Sequence, residues 1–474
     1  MSSQSFSVKR AQVEFHNFAS LGEPERALRV YREENTRRAE IIHKFLDFIG
    51  PMTPFLEIGA NAGHTSYMLC NEFGAGGFAL DISADALRHG IALQEAWGLR
   101  KAPVRVAGDG ANLPFRDGSL RMVMTHQTLS QFMELEGIFA EVVRVLAPGG
   151  IFLFSEEPMK RLLSLRLYRA PYVETMKPWE RMLHSHGLLG YFVQDVIGAH
   201  QEESFGIRQN HQLYLNDWDA LVKRHFAAQQ YDLCVPQRGW GERWMKRLAI
   251  RLDPYRSQWR AARLLGGTMA AVCRKAGEPV FPEAEPFEKL LRCPDCHGAL
   301  NLGRDEGLEC KTCGYKASKE GQVYNLLPSV DRSALYPGDR EDAIDFSVPG
   351  HERHLLEGWH ELEGTYGNKY RWIGRRATAV LKRVTPGPMQ LRIRGFAQSS
   401  VFDSGAPEIE VLVNGARAGE WTLERSGLFV LEADVPDATA YTVEIRATPE
   451  WRAPGDERTF TVNLSMLRLI PRED

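Results

Sequence analysis

The strongest constraint on this chain is a rhythm of short apolar runs separated by helical stretches. The runs lie at residues 55–58, 77–80, 104–106, 122–125 and 151–154, and amphipathic segments such as 84–97 and 135–146 lie between them. Strands joined through helices need crossover connections, so they pair in parallel and carry helices on both faces. The expected fold is α/β, with a doubly wound Rossmann-like sheet over residues 51–275. The segment GTMAAVCR, Gly267–Arg274, reads as a strand returning to that sheet. Residues 1–50 read as a polar arm and an amphipathic helix, with Ile41, Ile42, Phe45, Leu46 and Ile49 at three- and four-residue steps. From 158 to 265 the rhythm gives way to a helix-leaning insertion rich in Trp, Tyr and Arg.

The 474 residues, 43% apolar and 25% charged, suffice for several buried cores. A net charge of −3 gives no whole-molecule field to draw in nucleic acid or an anionic membrane. No apolar stretch is long enough to span a bilayer, and residues 1–20 lack the apolar centre of a signal peptide. The reading is a cytoplasmic protein, with its cysteines reduced or metal-bound.

Four elements inside the sheet region carry chemistry. Phe55-Leu56-Glu57-Ile58-Gly59-Ala60-Asn61-Ala62-Gly63-His64-Thr65 ends one strand and opens a helix. Small residues there let a ligand approach the backbone, and the helix start offers oriented N–H groups. Asp81 ends the second strand, where an acid can accept hydrogen bonds from both hydroxyls of a ribose. Gly108-Asp109-Gly110-Ala111-Asn112-Leu113-Pro114-Phe115 follows the third strand. Ala147-Pro148-Gly149-Gly150 stops a helix ahead of the fifth.

In this order and spacing the elements resemble the class I S-adenosylmethionine-dependent methyltransferases of the small-molecule branch, over residues 50–155. The resemblance implies S-adenosyl-L-methionine as cofactor. It places Glu57, Gly59, Asn61 and Gly63 along the methionine and ribose, Asp81 on the ribose hydroxyls, and Asp109 and Gly110 at the adenine. His126 falls beside the reacting methyl group. One departure is Asn61, where the family's Gly-x-Gly-x-Gly has its middle glycine; Asn tolerates left-handed backbone better than other residues with a side chain. A dinucleotide dehydrogenase is the rival at fold level, but Gly-x-Gly-x-x-Gly does not follow the first strand.

Transfer to a hydroxyl needs a general base, and histidine suits neutral pH. His126 is the first candidate and His211 the second; His184, His186, Glu156 and Glu157 are further ones, each with a structural alternative. Residues 237–265 interleave Arg238, Arg243, Lys246, Arg247, Arg251, Arg256, Arg260 and Arg263 with Trp240, Trp244, Tyr255 and Trp259. Such a helix either presents a solvated outer face or lies peripherally on a membrane.

Cys293-Pro294-Asp295-Cys296 and Cys310-Lys311-Thr312-Cys313 are 13 residues apart. Two such knuckles present four thiolates to one ion, the pattern of a closed structural Zn²⁺ site. The segment 288–328 therefore reads as a zinc ribbon, resembling the small zinc-ribbon activator of translation-related methyltransferases. Iron in a rubredoxin-like site is the alternative. Residues 352–474 read as strands separated by turns, an all-β sandwich. Its layout resembles accessory domains beside bacterial glycosyltransferases and sugar-modifying enzymes. Trp359, Trp372 and Trp421 either stack on sugar rings or pack in a core.

These features together predict O-methylation of a saccharide or glycan-linked acceptor in bacterial surface-polysaccharide or related biosynthesis. The alternatives are RNA methylation, disfavoured by the lack of a basic, aromatic-studded groove, and a cofactor- or glycan-binding scaffold without turnover.

Overall fold

The computed structural model describes residues 24–132, 134–162, 177–186, 213–235, 239–252, 258–280, 285–303, 306–320, 322–336, 340–365, 368–424, 426–453 and 455–472, with Lys9 and Val13 ahead of them. Two compact units result, one built chiefly from residues 28–329 and one from 330–474. Among the described residues no helix is long and apolar enough to cross a membrane.

In the first unit, β1 (Phe55–Ile58), β2 (Gly77–Asp81), β3 (Val104–Ala107), β4 (Leu120–His126) and β5 (Leu146–Met159) form a parallel sheet in the order β3-β2-β1-β4-β5. Ile58 pairs with Leu80 on one side and Thr125 on the other. The strand order reverses between β1 and β4, so the crevice for a ligand lies beyond the carboxyl ends of these two strands. β6 (Ala228–Cys234) and β7 (Gly267–Arg274) complete that side antiparallel. The returning strand sits where the sequence placed it. β6 went unread because its half-buried, polar sequence AQQYDLC carries no apolar alternation.

Successive strand residues face opposite layers. Met122, Met124, Ile151 and Leu153 pack with Ile42, Phe45 and Ile49 on one face. Val123, Phe152 and Phe154 pack with Phe139 and Trp218 on the other. The helix α1 (Pro24–Lys44) supplies Ile42. After β1 comes α2 (His64–Asn71), and after β2 comes α3 (Ala84–Ala96), whose first turn is capped by Ser83 Oγ accepting from the Ala86 N–H at 3.0 Å. α4 (Leu135–Val145) stops directly before Leu146 and the Pro148-Gly149-Gly150 turn.

The cysteine segment, read as a zinc ribbon, is tied to this sheet by two strands. Its small sheet of β8 (Leu300–Leu302), β9 (Leu308–Cys310) and β10 (Lys316–Ala317) is separate, but β11 (Lys319–Glu320) and β12 (Val323–Asn325) join the main sheet. β12 pairs in parallel with β3, Tyr324 opposite Val106, and extends the sheet to nine strands. The physical reason is that β3 would otherwise end the sheet with a row of unpaired backbone groups.

The second unit is a β-sandwich. One sheet holds β14 (Trp359–Thr365), β15 (Asn368–Ile373), β22 (Asn463–Pro471), β17 (Met389–Ala397) and β20 (Gly427–Asp434), with β13 (Ala343–Asp345) also on β22. The other holds β16 (Arg376–Lys382), β21 (Ala440–Thr448), β18 (Glu408–Val413) and β19 (Ala416–Thr422). Tyr441, Val443, Ile445 and Ala447 alternate into one core with Leu391, Ile393 and Leu467 of the facing sheet. Of the two readings of the tryptophans, sugar platform or core, their surroundings here match packing. Trp372 is 4% exposed among Tyr370, Trp451 and Phe460. Trp359 donates to the Thr378 carbonyl at 2.7 Å, and Trp421 lies half-buried on the core.

Candidate active site

The carboxyl ends of β1, β4 and β5 share an uncommon feature. Asn61, Gln127 and Glu156 all have positive φ, at 50°, 53° and 63°. Left-handed backbone at a residue with a side chain costs free energy and concentrates at functional sites. Asn61 therefore does what the missing glycine would do, and the turn survives. Glu156 sits at an irregularity in the β5–β7 pairing, between Phe154 and Glu157, which re-aims its side chain.

The turn after β1 is fixed from several directions. Gly59, at φ +71°, faces Thr128: a Cβ there would lie 2.4 Å from the threonine side chain. The close approach that the sequence assigned to a cofactor is here made by Thr128. Gly63 takes φ +79° as the N-cap of α2. Gly90 of α3 was not foreseen; a Cβ on it would meet the Ala62 carbonyl at 2.2 Å, so only glycine lets α3 seat against the turn.

Asp81 points one carboxylate oxygen at the Asn61 N–H, 2.7 Å, and the other at the Ser83 N–H, 2.8 Å. Both bonds hold the carboxylate rigid at the end of β2. Asp109, 4% exposed after β3, accepts from the Ala111 N–H at 2.9 Å. Its other oxygen is paired with Lys9 at 2.7 Å. Gly110 packs under Phe132, which would lie 2.7 Å from an added Cβ. Glu57 is buried beneath the turn. One of its oxygens accepts from the Ser66 N–H and the Ser66 hydroxyl, at 2.9 and 2.5 Å. Burial pushes this carboxyl up to about 7, against the lowering pull of Ser66 and Arg38.

His126 ends β4, buried, with Nδ1 2.6 Å from Ser155 Oγ. Its Nε2 has no partner. Burial, reinforced by the positive charge of Arg38, holds the ring neutral by pushing its basicity well below the ordinary histidine value. Glu157, a candidate acid, is committed elsewhere: its two oxygens accept from the N–H groups of Thr128, Leu129 and Ser130 at 2.8–3.1 Å, fixing the turn after β4.

Above the crevice α1 contributes a cluster that sequence reasoning missed. Arg38 donates to Glu156 at 2.9 Å and to Thr65 Oγ1 at 2.8 Å, and contacts His64 Nε2 at 2.6 Å. Glu34 meets His64 at 3.0 Å, and Tyr31 stacks on that ring at 4.2 Å. Residues 31, 34 and 38 stand at i, i+3 and i+7, one helix face. That stripe of polar residues was the available signal, overshadowed by the apolar stripe from Ile41 onward. His64 Nδ1, Asn35 Oδ1 and Thr125 Oγ1 are buried here without partners, as His126 Nε2 is. Unpaired buried polar atoms cost about 1–3 kcal/mol each, and His64 Nδ1 and His126 Nε2 belong to residues that also contact Arg38 or end β4.

His211 lies outside the described residues. His184 falls in the helix Pro178–Ser185, and His186 follows it, its Nδ1 2.7 Å from the Met182 carbonyl oxygen.

The four cysteines of the knuckles do converge. Their Sγ atoms all lie within 4.8 Å of one another. Cys293 and Cys313 are 3.6 Å apart, and Cys296 and Cys310 3.4 Å. These distances exceed a disulfide bond and come close to the edge, about 3.8 Å, of a thiolate tetrahedron around Zn²⁺. The first knuckle also grips the loop after β3: Asn112 donates to the Pro294 carbonyl at 2.9 Å, and the Arg292 N–H donates to Pro114 at 3.0 Å.

Residues 56–154 match the sequence model of a methyltransferase-domain family. Norajmaline N-methyltransferase of Rauvolfia serpentina is 25% identical over 126 residues, which are 27% of this chain and 41% of that protein. The malonyl-[acyl-carrier protein] O-methyltransferase of Geobacter sulfurreducens is 31% identical over 102 residues, 21% of this chain and 37% of its own. The chain thus spans about two fifths of the length of these curated relatives. Among solved structures, phosphoethanolamine N-methyltransferase 2 of Haemonchus contortus bound to S-adenosyl-L-methionine superposes with a TM-score of 0.32 at 15% identity, over 50% of this chain and 53% of the other.

Proposed function

We propose that this chain is an S-adenosyl-L-methionine-dependent methyltransferase acting on a hydroxyl oxygen. The observation that carries the proposal is the arrangement around the switch point. Asp81 and Asp109 end adjacent strands with their carboxylates fixed by loop N–H groups, and the match over 56–154 covers both. A buried, neutral His126 with an unpaired Nε2 ends β4, across β1.

The residues fit the cofactor. Asp81 would take the two ribose hydroxyls, Asp109 an adenine amino group once Lys9 moves aside, and the turn of Gly59, Asn61 and Gly63 would allow close backbone approach. The cofactor supplies an electrophilic methyl group on a sulfonium, which leaves as a neutral thioether. The protein then has alignment, dryness and one proton to manage. As the acceptor oxygen attacks, its proton passes to Nε2 of His126. Ser155 holds the ring through Nδ1. Burial, and the positive charge of Arg38 anchored by Glu156, keep that imidazole unprotonated at rest and disfavour the imidazolium, so the proton it takes must pass on to solvent as product leaves.

A saccharide or glycan-linked acceptor remains within this proposal, now on hydroxyl chemistry alone, because Trp359, Trp372 and Trp421 pack into the sandwich. The four thiolates would hold a structural Zn²⁺ with no position left for substrate. The experiment is titration calorimetry with S-adenosylhomocysteine, followed by incubation of labelled S-adenosyl-L-methionine with pools of nucleotide sugars, lipid-linked glycans, RNA and small alcohols. The proposal requires nucleoside binding that D81A weakens at least about tenfold. It also requires label in an alcohol or sugar that H126N reduces by about 10²–10⁴ at unchanged nucleoside affinity. Label confined to nitrogen or carbon atoms, RNA bases included, or binding indifferent to D81A, defeats it.

A further inference from the structure

The helix Gly239–Arg251 carries two exposed rows side by side. Trp240, Trp244, Leu248 and, just past the helix end, Leu252 recur every four residues at 58%, 59%, 40% and 60% exposure. Arg243, Arg247 and Arg251, all exposed, recur at the same step one position behind. Residues four apart stack along one helix face, so an apolar ridge runs beside a cationic ridge. The inward positions Gly241 and Ala249 are buried. Over the helix, Arg243, Lys246, Arg247 and Arg251 face a single acid in the sequence, Glu242. A second helix, α5 (Pro178–Ser185), also exposes apolar side chains, Trp179 and Met182 at 47% and 56%, with Arg181 between them in sequence. A hydrogen bond from the Gly241 N–H to the His186 carbonyl, 3.3 Å, ties the two helices together.

We infer that this surface seats on an anionic lipid bilayer. Two observations favour lipid over a macromolecular partner. Tryptophans half in and half out of an apolar layer match the headgroup level of a membrane. The arginine row stands where headgroup phosphates would be, and arginine stems reach past buried apolar surface to do so. The molecule's net charge of −3 means that the attraction comes from this patch alone. A membrane-held or lipid-linked methyl acceptor is a corollary that rests on the proposed activity; the surface itself does not.

The full chain is mixed with vesicles of phosphatidylcholine alone and of phosphatidylcholine with phosphatidylglycerol, and sedimented. Binding is expected only to the anionic vesicles, falling as salt rises. At about fivefold per basic residue near the surface, the triple variant R243Q/R247Q/R251Q weakens it about a hundredfold. W240S/W244S weakens it at least about tenfold with the charge intact. Both variants change exposed side chains, and an unchanged melting curve shows that each still folds. Equal binding to neutral and anionic vesicles, or none to either, overturns the inference. So does a dimer in light scattering that W240S/W244S dissolves, or RNA binding that the arginine variant abolishes without any vesicle binding.

Discussion

Glu57 offers the sharpest test of the site's electrostatics. In the protein without cofactor its carboxyl is raised from 4.5 to about 7, burial being the main cause. A raised acid binds its proton more tightly in the folded than in the unfolded chain. Its contribution is therefore complete below 4.5 and is lost as pH climbs through about 7. At 1.36 kcal/mol per pH unit, the loss across that window is about 3 kcal/mol. E57Q mimics the protonated acid. One oxygen of Glu57 takes both Ser66 bonds, so the amide oxygen of Gln can keep them. The urea midpoint of the wild type should then fall by about 1 M relative to E57Q between pH 4.5 and 8, taking about 3 kcal/mol per molar for a unit of this size. The two should converge at the acid end. Parallel stability profiles would refute the reasoning, because they would mean that Glu57 ionises in place at no cost. A bound cofactor brings an ammonium and a sulfonium, which favour the charged carboxylate. Calorimetry in buffers of different ionisation enthalpy should accordingly record proton release on binding near pH 6, absent in E57Q.

Further outcomes follow from individual contacts. Lys9 occupies the oxygen of Asp109 that an adenine amino group would use, so K9A should tighten S-adenosylhomocysteine binding several-fold in calorimetry; weaker binding would show that Lys9 belongs to the site. Elemental analysis should give one zinc per chain, lost in C293S/C310S along with several degrees of melting temperature. Because the first knuckle holds Asn112 through Pro294, chelation should also loosen nucleoside binding, and N112A should reproduce part of that loss with zinc retained. G90A should destabilise the first unit by about 1–3 kcal/mol in urea titration, since its methyl group meets the Ala62 carbonyl.

The parallel sheet was legible in the sequence because each of β1 to β5 is an apolar run bounded by turn residues. The positions of Asp81, Asp109 and His126 followed, as each ends a strand. Of the C-terminal strands, β17, β18, β20, β21 and β22 were legible for a similar reason, since β18 and β21 alternate between buried and more open positions, whereas β13, β14, β15, β16 and β19 went unread. Three things were hidden. Partners distant in sequence leave no local trace, so nothing near Gly59 announced Thr128 and nothing near Asp109 announced Lys9. The contribution of α1 was concealed because a polar face normally means solvent, whereas Tyr31 and Arg38 are buried. And a tryptophan reads alike on a sugar platform and in a core, so Trp372 could be assigned only once its neighbours Trp451 and Phe460 were known.

The strand β12 has a consequence for how the chain comes into being. It lies beside β3, yet Val323 follows Ala107 by 216 positions (323 minus 107). At about 5–20 residues per second, a ribosome needs roughly 10–40 s to deliver the second partner after the first. Throughout that interval the nascent sheet carries a bare margin at β3, and the loop bearing Asp109 lacks its knuckle. A fragment cut at residue 275 would be frozen in that same unfinished condition, prone to pairing with its own kind.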